Sequence, residues 1–291
     1  RERERERERG GTMLCEYQDV LSSWDIVLAS GSPRRQEILS SLGLKFRVVP
    51  STFAEDLDKS HFSNASSYVQ RTAYLKGAQV SSSFLEGGDE TPLHSIPHLV
   101  ISADTVVVLG NKILEKPADT EHACEMLQEL SGKTHYVFTA VCFFFLREFM
   151  RVARKSPVIL DAVKQELLEG NVEFLDEQVC HQFVEMTEVT FDELSSTCIK
   201  NYVDTGEPMD KAGGYGYQGA AGSLVSRIQG CYYNVVGFPA NRFCRELREF
   251  LEVFGSVEDM QIEMESSSSS SSDEDAQGGT YKGEERKRGD Y

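Results

Sequence analysis

A buried strand that leads directly into a helix constrains this chain more than any other feature. The apolar run Ile26–Ala29 is typical of a strand inside a sheet. Ser32 suits a helix N-cap and Pro33 suits the first helical position, so we predict a helix that begins there. Gly43 is the kind of residue that ends a helix, which limits the predicted helix to 33–42. Strand, short turn and helix together form the basic unit of α/β folds.

The same turn has the composition of an anion-binding site. Ser30, Arg34 and Arg35 surround the predicted helix start. Unpaired backbone N–H groups and the helix dipole favour anions at that position, and guanidinium groups bind phosphate oxygens. An ordinary strand–helix turn with solvated arginines fits these residues equally well, so the turn alone leaves both interpretations open.

Composition excludes several classes of partner. The formal net charge of -17 argues against binding to a nucleic-acid backbone, which requires a basic face. No apolar run reaches the ~18 residues of a membrane span. The 7 cysteines are scattered without a CxxC pair, which favours reduced thiols over a disulfide framework or a zinc site. We therefore expect a cytoplasmic protein with no nucleic-acid and no membrane partner.

One folded unit is predicted between two low-complexity ends. We assign 1–23, which holds an Arg/Glu repeat, and 256–291, an acidic Ser-rich tail, to disordered segments, and 24–255 to the folded domain. Strands and helices alternate in the domain, which predicts an α/β fold with a mixed twisted sheet flanked by helices. The predicted strands are 26–30, 46–50, 99–109, 134–145 and 183–191, and the predicted helices are 33–42, 65–80, 119–131, 192–204 and 240–253. We interpret 143–182 as an insertion that contains a helix over 156–169.

Asp104 lies inside an apolar strand, directly after Leu99–Ile101 and Ser102-Ala103. A buried ionised carboxylate needs cations or hydrogen-bond donors beside it. Such a carboxylate can hold a divalent metal or take a proton from water. A structural aspartate that is satisfied by backbone donors is the alternative.

Two lysines fit a phosphate site. Lys116 is fixed between a strand and Pro117, and Lys76 lies on a predicted helix. Each can neutralise phosphate charge as a point cation. Taken singly, each also fits an ordinary surface lysine.

A glycine-rich segment over 206–219 contains the spacing GxGxxG at Gly214, Gly216 and Gly219. No strand precedes it and no acidic residue follows about twenty positions later, so we reject a dinucleotide-binding motif. We interpret the segment as a tightly folded loop whose backbone approaches a ligand. Gln218 would then offer its amide to a base edge.

Five segments in order resemble the Maf family of nucleoside triphosphate pyrophosphatases, including the Maf-like N-terminal part of acetylserotonin O-methyltransferase-like proteins. They are LASGSPRRQEIL (28–39), ISADTVVVLGNKILEKP (101–117), LSGKTHYVFTAV (130–141), YVDTGEPMDKAGGYGYQG (202–219) and NVVGFP (234–239). The resemblance implies a two-lobed Maf/ITPase-like fold around a central cleft. It also implies hydrolysis between the α and β phosphates of a nucleoside triphosphate, a divalent cation (Mg²⁺ or Mn²⁺) and a homodimer.

The resemblance also implies roles for single residues. Asp104 matches the catalytic carboxylate, which acts as proton acceptor and, with Glu55, would hold the metal. Lys116 and Glu55 are further catalytic positions, and the substrate-binding positions are Ser30, Arg34, Arg35, Lys76, Thr105 and Gln218. Among these, Arg34, Thr105 and Gln218 match the subgroup that prefers dTTP and UTP, with modified forms such as 5-methyl-UTP and pseudo-UTP.

The chain departs from the family pattern at two positions. Ser102 stands where glycine is usual, and Gly77 stands where alanine commonly follows the lysine. Ser102 could crowd the approach to Asp104, although neither change removes a charged group.

Two other functions make different demands on the sequence. A non-catalytic nucleotide-binding protein on the same fold would lack Asp104, Lys116 or Arg35, and all three are present. A methyltransferase would need a strand followed by a glycine motif with an acidic partner, which this sequence does not show.

Overall fold

The computed structural model describes residues 14–86, 90–147, 172–175 and 178–252. By its contacts the chain divides into two units, 1–248 and 249–291. Of the second unit only 249–252 are described, and they are helical.

The described strands form one mixed sheet. Along the sheet the order is β2-β1-β3-β5-β7-β6, with β4 paired to β3 and β8 paired to β7. β1 is parallel to β2 and β3, and the other pairs are antiparallel. The strands are β1 (Ile26–Leu28), β2 (Arg47–Val48), β3 (Leu99–Leu109), β4 (Lys112–Leu114), β5 (Thr134–Phe145), β6 (Val172–Leu175), β7 (Gln178–Phe191) and β8 (Val225–Gln229).

Helices cover this sheet, which confirms the predicted α/β class. Ser32 is the N-cap residue of the second helix and Pro33 its first residue, and Gly43 follows its C-cap with a φ of 81°, as predicted. The helices are α1 (Gln18–Ser23), α2 (Pro33–Ser41), α3 (Ala65–Ser83), α4 (Thr120–Leu130), α5 (Ser196–Val203), α6 (Tyr232–Val236) and α7 (240–248). None of the helices in the described ranges has the length and apolar content of a membrane span.

Two apolar clusters of the described residues pack on opposite faces of the sheet. Alternate residues of a strand point to opposite faces, so neighbours on β3 belong to different clusters. Val106 packs with Tyr68 and Ala73 of α3, whereas Val107 packs with Leu127 of α4. The central strands β3 and β5 are therefore buried on both sides.

The folded part begins earlier than predicted. Residues 14–23, assigned from sequence to the disordered end, form a 3-10 turn and helix α1. Leu14 and Leu21 are seven residues apart and both are buried, so one helical face docks on the domain. The charged repeat nearby obscured this short apolar pattern.

Other boundaries also differ. α5 begins at Ser196 rather than 192 because the Ser195 side chain accepts from the Cys198 N–H and caps the helix there. β7 begins at Gln178, inside the predicted insertion, and Phe143 of β5 pairs with His181 of β7. The predicted helix over 156–169 lies outside the described residues.

The divergence of β1 from β3 creates the space for a site. β1 pairs with β3 only as far as Ile101, and the Ala29 N–H makes a last bond to the Ile101 carbonyl. β3 continues beyond this point along β5, where Asp104 pairs with Ala140. Asp104 therefore lies just past the strand end that leads into the Ser30–Ser32 turn.

Candidate active site

A cavity of about 700 Å³ opens where β1 leaves the sheet. It is lined by parts of the sheet, the start of α2, the middle of α3 and the glycine-rich loop. The nine site residues predicted from sequence all lie in its wall: Ser30, Arg34, Arg35, Glu55, Lys76, Asp104, Thr105, Lys116 and Gln218. The structure thus brings together residues as far apart in the sequence as Ser30 and Gln218, which are 188 positions apart.

Arg35 joins three segments of the chain at the cavity wall. Its Nη1 donates to Ser30 Oγ at 3.0 Å, its Nη2 to Thr105 Oγ1 at 3.1 Å, and its Nε to the Gly237 carbonyl at 3.0 Å. A guanidinium has five N–H donors, so two remain for a phosphate. Burial lowers the pKa of Arg35, while the nearby Asp104 and Glu55 oppose that shift.

Arg34 is held far less tightly than Arg35. Its Nη1 lies 3.9 Å from Asp210 Oδ2, and the two side chains are 28% and 68% exposed. A pair this long and this exposed contributes little to stability. The Arg34 guanidinium can therefore turn toward a ligand at small energetic cost.

Lys76 lies between two carboxylates. Its Nζ is 2.6 Å from Asp104 Oδ1 and 2.9 Å from Glu55 Oε1. Asp104 and Lys76 are 7% and 9% exposed, whereas the Glu55 side chain is 44% exposed. Lys76 follows Val69 and Ala73 on the buried stripe of α3, so its position on that stripe distinguishes it from a surface lysine.

The two carboxylates differ in their electrostatic surroundings. Burial raises the pKa of Asp104 above its ordinary value, although Lys76 and Arg35 oppose the shift. Partial burial also acts to raise the pKa of Glu55, but Lys76, Lys116 and Arg35 outweigh it and lower that pKa. The site therefore combines a basic carboxylate with a readily ionised one, an arrangement found in acid–base catalysis.

Two carboxylates in the cavity wall are candidates to hold a divalent cation. Glu55 and Asp104 converge on one point, since both contact the same Lys76 Nζ. The described residues contain no group of three or more His, Cys, Asp or Glu side chains that could hold a metal by themselves. Mg²⁺ commonly binds through one or two carboxylates together with substrate phosphates and water.

The sequence from residue 25 to residue 250 matches the family described as Maf-like protein. This chain belongs to the Maf family. A human relative, the "Probable bifunctional dTTP/UTP pyrophosphatase/methyltransferase protein", is 42% identical over 235 residues, which are 81% of this Maf chain and 33% of the relative. The chain thus spans about a third of that protein.

Two bacterial Maf relatives are matched over nearly their whole length. The dTTP/UTP pyrophosphatase of Desulforamulus reducens is 40% identical over 225 residues, covering 77% of this chain and 96% of the relative. The enzyme of the same name from Clostridium perfringens strain SM101 is 37% identical with the same coverage.

Glu115 is a cavity residue of this Maf chain that the sequence did not single out for a role. Its Oε1 accepts from the Tyr68 O–H at 2.6 Å and its Oε2 from Lys59 Nζ at 2.6 Å. These bonds connect the residues after β4, where Lys116 lies, both to α3 through Tyr68 and to the segment that carries Glu55 through Lys59. Lys116 itself is exposed at the cavity mouth.

The motif NVVGFP contributes to the cavity through its backbone. The Gly237 carbonyl accepts from Arg35, and its φ of 117° is one that residues other than glycine rarely adopt. Asn234 is fully buried and its Nδ2 donates to the Val137 carbonyl and to Thr187 Oγ1, both at 3.0 Å. Asn234 therefore anchors the turn that orients Arg35, a role that only the fold reveals.

The two departures from the family pattern fit each other. Ser102 Oγ donates to the Ala73 carbonyl at 2.7 Å and occupies the side of α3 where Gly77 has no side chain. Asp104 still reaches Lys76, so Ser102 does not crowd the carboxylate as the sequence suggested. The hydroxyl on β3 uses the room left by the glycine on α3.

The glycines of the 206–219 loop accommodate the loop's own side chains. A Cβ at Gly219 would overlap the Glu207 carboxylate, and a Cβ at Gly216 would overlap Lys211. These two glycines therefore make room for side chains of the loop itself, and Gly216 also lies in the cavity wall, so the approach of this backbone to a ligand stays a prediction. Gln218 between them does face the cavity.

Proposed function

We propose that this Maf chain hydrolyses dTTP, UTP and modified pyrimidine nucleoside triphosphates to the monophosphate and pyrophosphate. The observation that carries the proposal is the buried Asp104 carboxylate in one cavity with Arg34, Arg35, Lys76 and Lys116. The printed names of the relatives, dTTP/UTP pyrophosphatase, support the same reaction and substrates.

Four cations would bind the triphosphate. Arg34 and Arg35 lie at the start of α2, where backbone N–H groups add to their attraction for phosphate oxygens. Lys76 and Lys116 approach from α3 and from the end of β4. Phosphoryl transfer depends mainly on such positioning and charge stabilisation, because the transition state spreads negative charge over the phosphate oxygens.

Asp104 would accept the proton of the attacking water. The water oxygen bonds to the α-phosphorus, the bridging bond from the α-phosphorus to the β-phosphate oxygen breaks, and pyrophosphate leaves with that oxygen. Burial raises the pKa of Asp104, which makes this carboxylate a better proton acceptor than an exposed one. Lys76 holds Oδ1 in place through its 2.6 Å contact.

A divalent cation, Mg²⁺ or Mn²⁺, would be held by Asp104 and Glu55. It would supply positive charge that offsets the phosphate charge. Lys76 then serves either the carboxylates or the phosphates, since its ammonium can donate three hydrogen bonds. Addition of EDTA should abolish activity and excess Mg²⁺ should restore it.

One assay tests the reaction and the substrate class together. Purified protein with Mg²⁺ is given dTTP, UTP, CTP, GTP or 7-methyl-GTP, and pyrophosphate and orthophosphate are measured separately. We expect pyrophosphate from dTTP and UTP above the others. Orthophosphate as the product would contradict the bond assignment, and preference for 7-methyl-GTP would contradict the substrate class.

The alternative, a non-catalytic nucleotide-binding protein, predicts binding without release of pyrophosphate. Two further expectations stay predictions: a homodimer, which sedimentation would test, and a cytoplasmic location, which cell fractionation would test. The six cysteines whose side chains are described form no disulfide bonds.

A further inference from the structure

A tyrosine–glutamate pair lies beneath the glycine-rich loop. The Tyr202 O–H donates to Glu207 Oε1 at 3.0 Å, and Tyr202 is 5% exposed. Glu207 Oε2 accepts from the Ala220 N–H at 3.1 Å. The Tyr202 oxygen accepts in turn from the Gly216 N–H at 3.1 Å. The pair therefore binds the chain on both sides of the segment between 216 and 220.

That segment is a tight turn with its centre at the cavity. The Gly219 N–H donates to the Gly216 carbonyl at 3.0 Å, which closes a four-residue turn around Tyr217 and Gln218. Both central residues line the cavity, and Gln218 is exposed to it. Glycine at 219 leaves the space that the Glu207 carboxylate occupies beneath the turn.

We propose that Glu207, acting with Tyr202, is a positioning residue for recognition of the pyrimidine base. Neither side chain is part of the described cavity wall, so each acts through the turn rather than on the nucleotide. The inference rests on the proposed function and extends it to the residues that set base selectivity.

Discrimination between bases depends on how firmly the Gln218 amide is held. Uracil and thymine present an acceptor at position 4, whereas cytosine presents an amino donor there. A glutamine side chain carries both an acceptor and a donor, and a free amide can rotate to serve either base. A turn fixed at Gly216 and Ala220 fixes the backbone position from which the Gln218 amide reaches the base, so the entropy of ordering the turn is lost on folding rather than on binding.

The test uses Glu207→Gln and Tyr202→Phe. In Glu207→Gln an amide N–H donor faces either the Tyr202 O–H or the Ala220 N–H, which are themselves donors. Tyr202→Phe removes the oxygen that accepts from the Gly216 N–H. We expect a roughly tenfold rise in the KM for UTP, the loss typical of one hydrogen bond to a buried group, with kcat within about twofold. As the KM for UTP rises, the ratio of kcat/KM for UTP to kcat/KM for CTP should fall.

A matched control is Glu246→Gln. Glu246 is also a partly buried carboxylate, 13% exposed, that accepts from Arg242 Nε at 3.0 Å, and it lies outside the cavity wall. Its variant should keep both KM and the UTP over CTP ratio, even if its unfolding temperature drops. A rise in KM equal to that of Glu207→Gln would overturn the proposal.

A double-mutant cycle with Gln218→Ala separates positioning from a general structural effect. If Glu207 acts through Gln218, Glu207→Gln adds nothing to the KM for UTP in the Gln218→Ala background. An equal rise in both backgrounds, or a fall in kcat with KM unchanged, refutes the proposal.

The same cycle can be measured without turnover, as calorimetric Kd values for a UTP analogue with a methylene bridge between the α and β phosphates. A parent protein that releases no pyrophosphate would refute the proposed function alone, since the Kd cycle still tests the turn.

Discussion

At the scale of single residues, the proposed catalytic role of Asp104 and the stability of the fold favour different protonation states of its side chain. Lys76 and Arg35 favour the charged form of this carboxylate, which is 7% exposed, yet burial still raises its pKa. The folded protein therefore favours the protonated form more than the unfolded chain does. Any role that needs the ionised form works against the stability of the fold.

We predict that Asp104→Asn lowers kcat by roughly 10²- to 10⁴-fold, the usual contribution of a general base. Relative to the parent, the same variant should be more stable at about pH 7 than at about pH 4. The direction of this change follows from the raised pKa of Asp104. The protonated carboxyl stabilises the parent below the pKa of Asp104 in the unfolded chain, and this stabilisation is lost as pH rises through the pKa in the folded protein. Urea unfolding without added metal at about pH 4 and about pH 7 measures the difference, which should grow with pH.

The control for this variant is Asp204→Asn, at an exposed carboxylate that pairs with Lys200. It should leave kcat unchanged, because Asp204 lies outside the cavity wall. Full turnover by Asp104→Asn would remove Asp104 from the mechanism. A stability of Asp104→Asn relative to the parent that falls as pH rises would show that ion pairing outweighs burial at this site.

The adjacent arginines are predicted to respond differently to lysine. Arg35→Lys should lower the free energy of unfolding by about 2 kcal/mol, because a lysine cannot replace the guanidinium bonds to Ser30, Thr105 and Gly237. Arg34→Lys should change it by less than about 0.5 kcal/mol, because its contact with Asp210 is long and exposed. Chemical denaturation and steady-state kinetics on both variants provide the comparison. We expect only a higher KM from Arg34→Lys, and similar losses of stability in both variants would contradict the distinction.

At the scale of helices and strands, α3 and β3 meet at Gly77. A Cβ there would overlap the Phe144 ring and approach Ser102 Oγ. Replacing a helical glycine by alanine would otherwise add about 1 kcal/mol of helix propensity. Overpacking typically costs 1–3 kcal/mol, so steric conflict should decide the sign here.

We therefore predict that Gly77→Ala lowers the free energy of unfolding by about 1–2 kcal/mol. In a Ser102→Gly background the loss should be smaller, because one of the two obstacles is gone and only Phe144 must move. Urea unfolding of the two single variants and the double variant completes the cycle. A stabilising Gly77→Ala would mean that propensity, not packing, controls this contact.

Local patterns in the sequence were sufficient for the elements that border the site. The Ser32–Pro33 helix start and Gly43 stop appear in the structure as predicted, because caps depend on neighbouring residues. The long-range partners were not predictable in this way. Nothing near Glu207 in the sequence indicates that its carboxylate reaches the Ala220 N–H, and nothing near Gly237 indicates that its carbonyl accepts from Arg35.

At the scale of the whole molecule, the two faces of the sheet contribute differently to the cavity. The α3 face supplies Lys76 beside Asp104, and the opposite face supplies Tyr215 and the glycine-rich loop. β3 contributes residues to both apolar clusters, so unfolding of either cluster should also disrupt the site. Unfolding of the described domain is expected to be a single cooperative transition.

His135 provides a pH-sensitive measure of that transition. It is fully buried, its Nε2 lies 2.9 Å from the Tyr215 O–H oxygen, and its ring packs edge-on against Phe191. Burial lowers the pKa of His135 from 6.5 to about 4. The unfolded chain therefore takes up a proton between these values that the folded protein does not, so stability rises with pH through this window.

The difference between these pKa values corresponds to roughly 3 kcal/mol, present above about pH 6.5 and lost as pH falls toward 4. We predict that His135→Phe, although less stable near pH 7 because the Tyr215 O–H loses its partner, loses less further stability on acidification than the parent does. Urea unfolding at about pH 7 and about pH 4.5 measures both slopes. His61→Asn, at an exposed histidine beside Asp58, is the control for loss of a histidine as such. Parallel slopes for the parent and His135→Phe would show that His135 takes up its proton equally well in the folded domain, and the acid sensitivity of this core would then need another source.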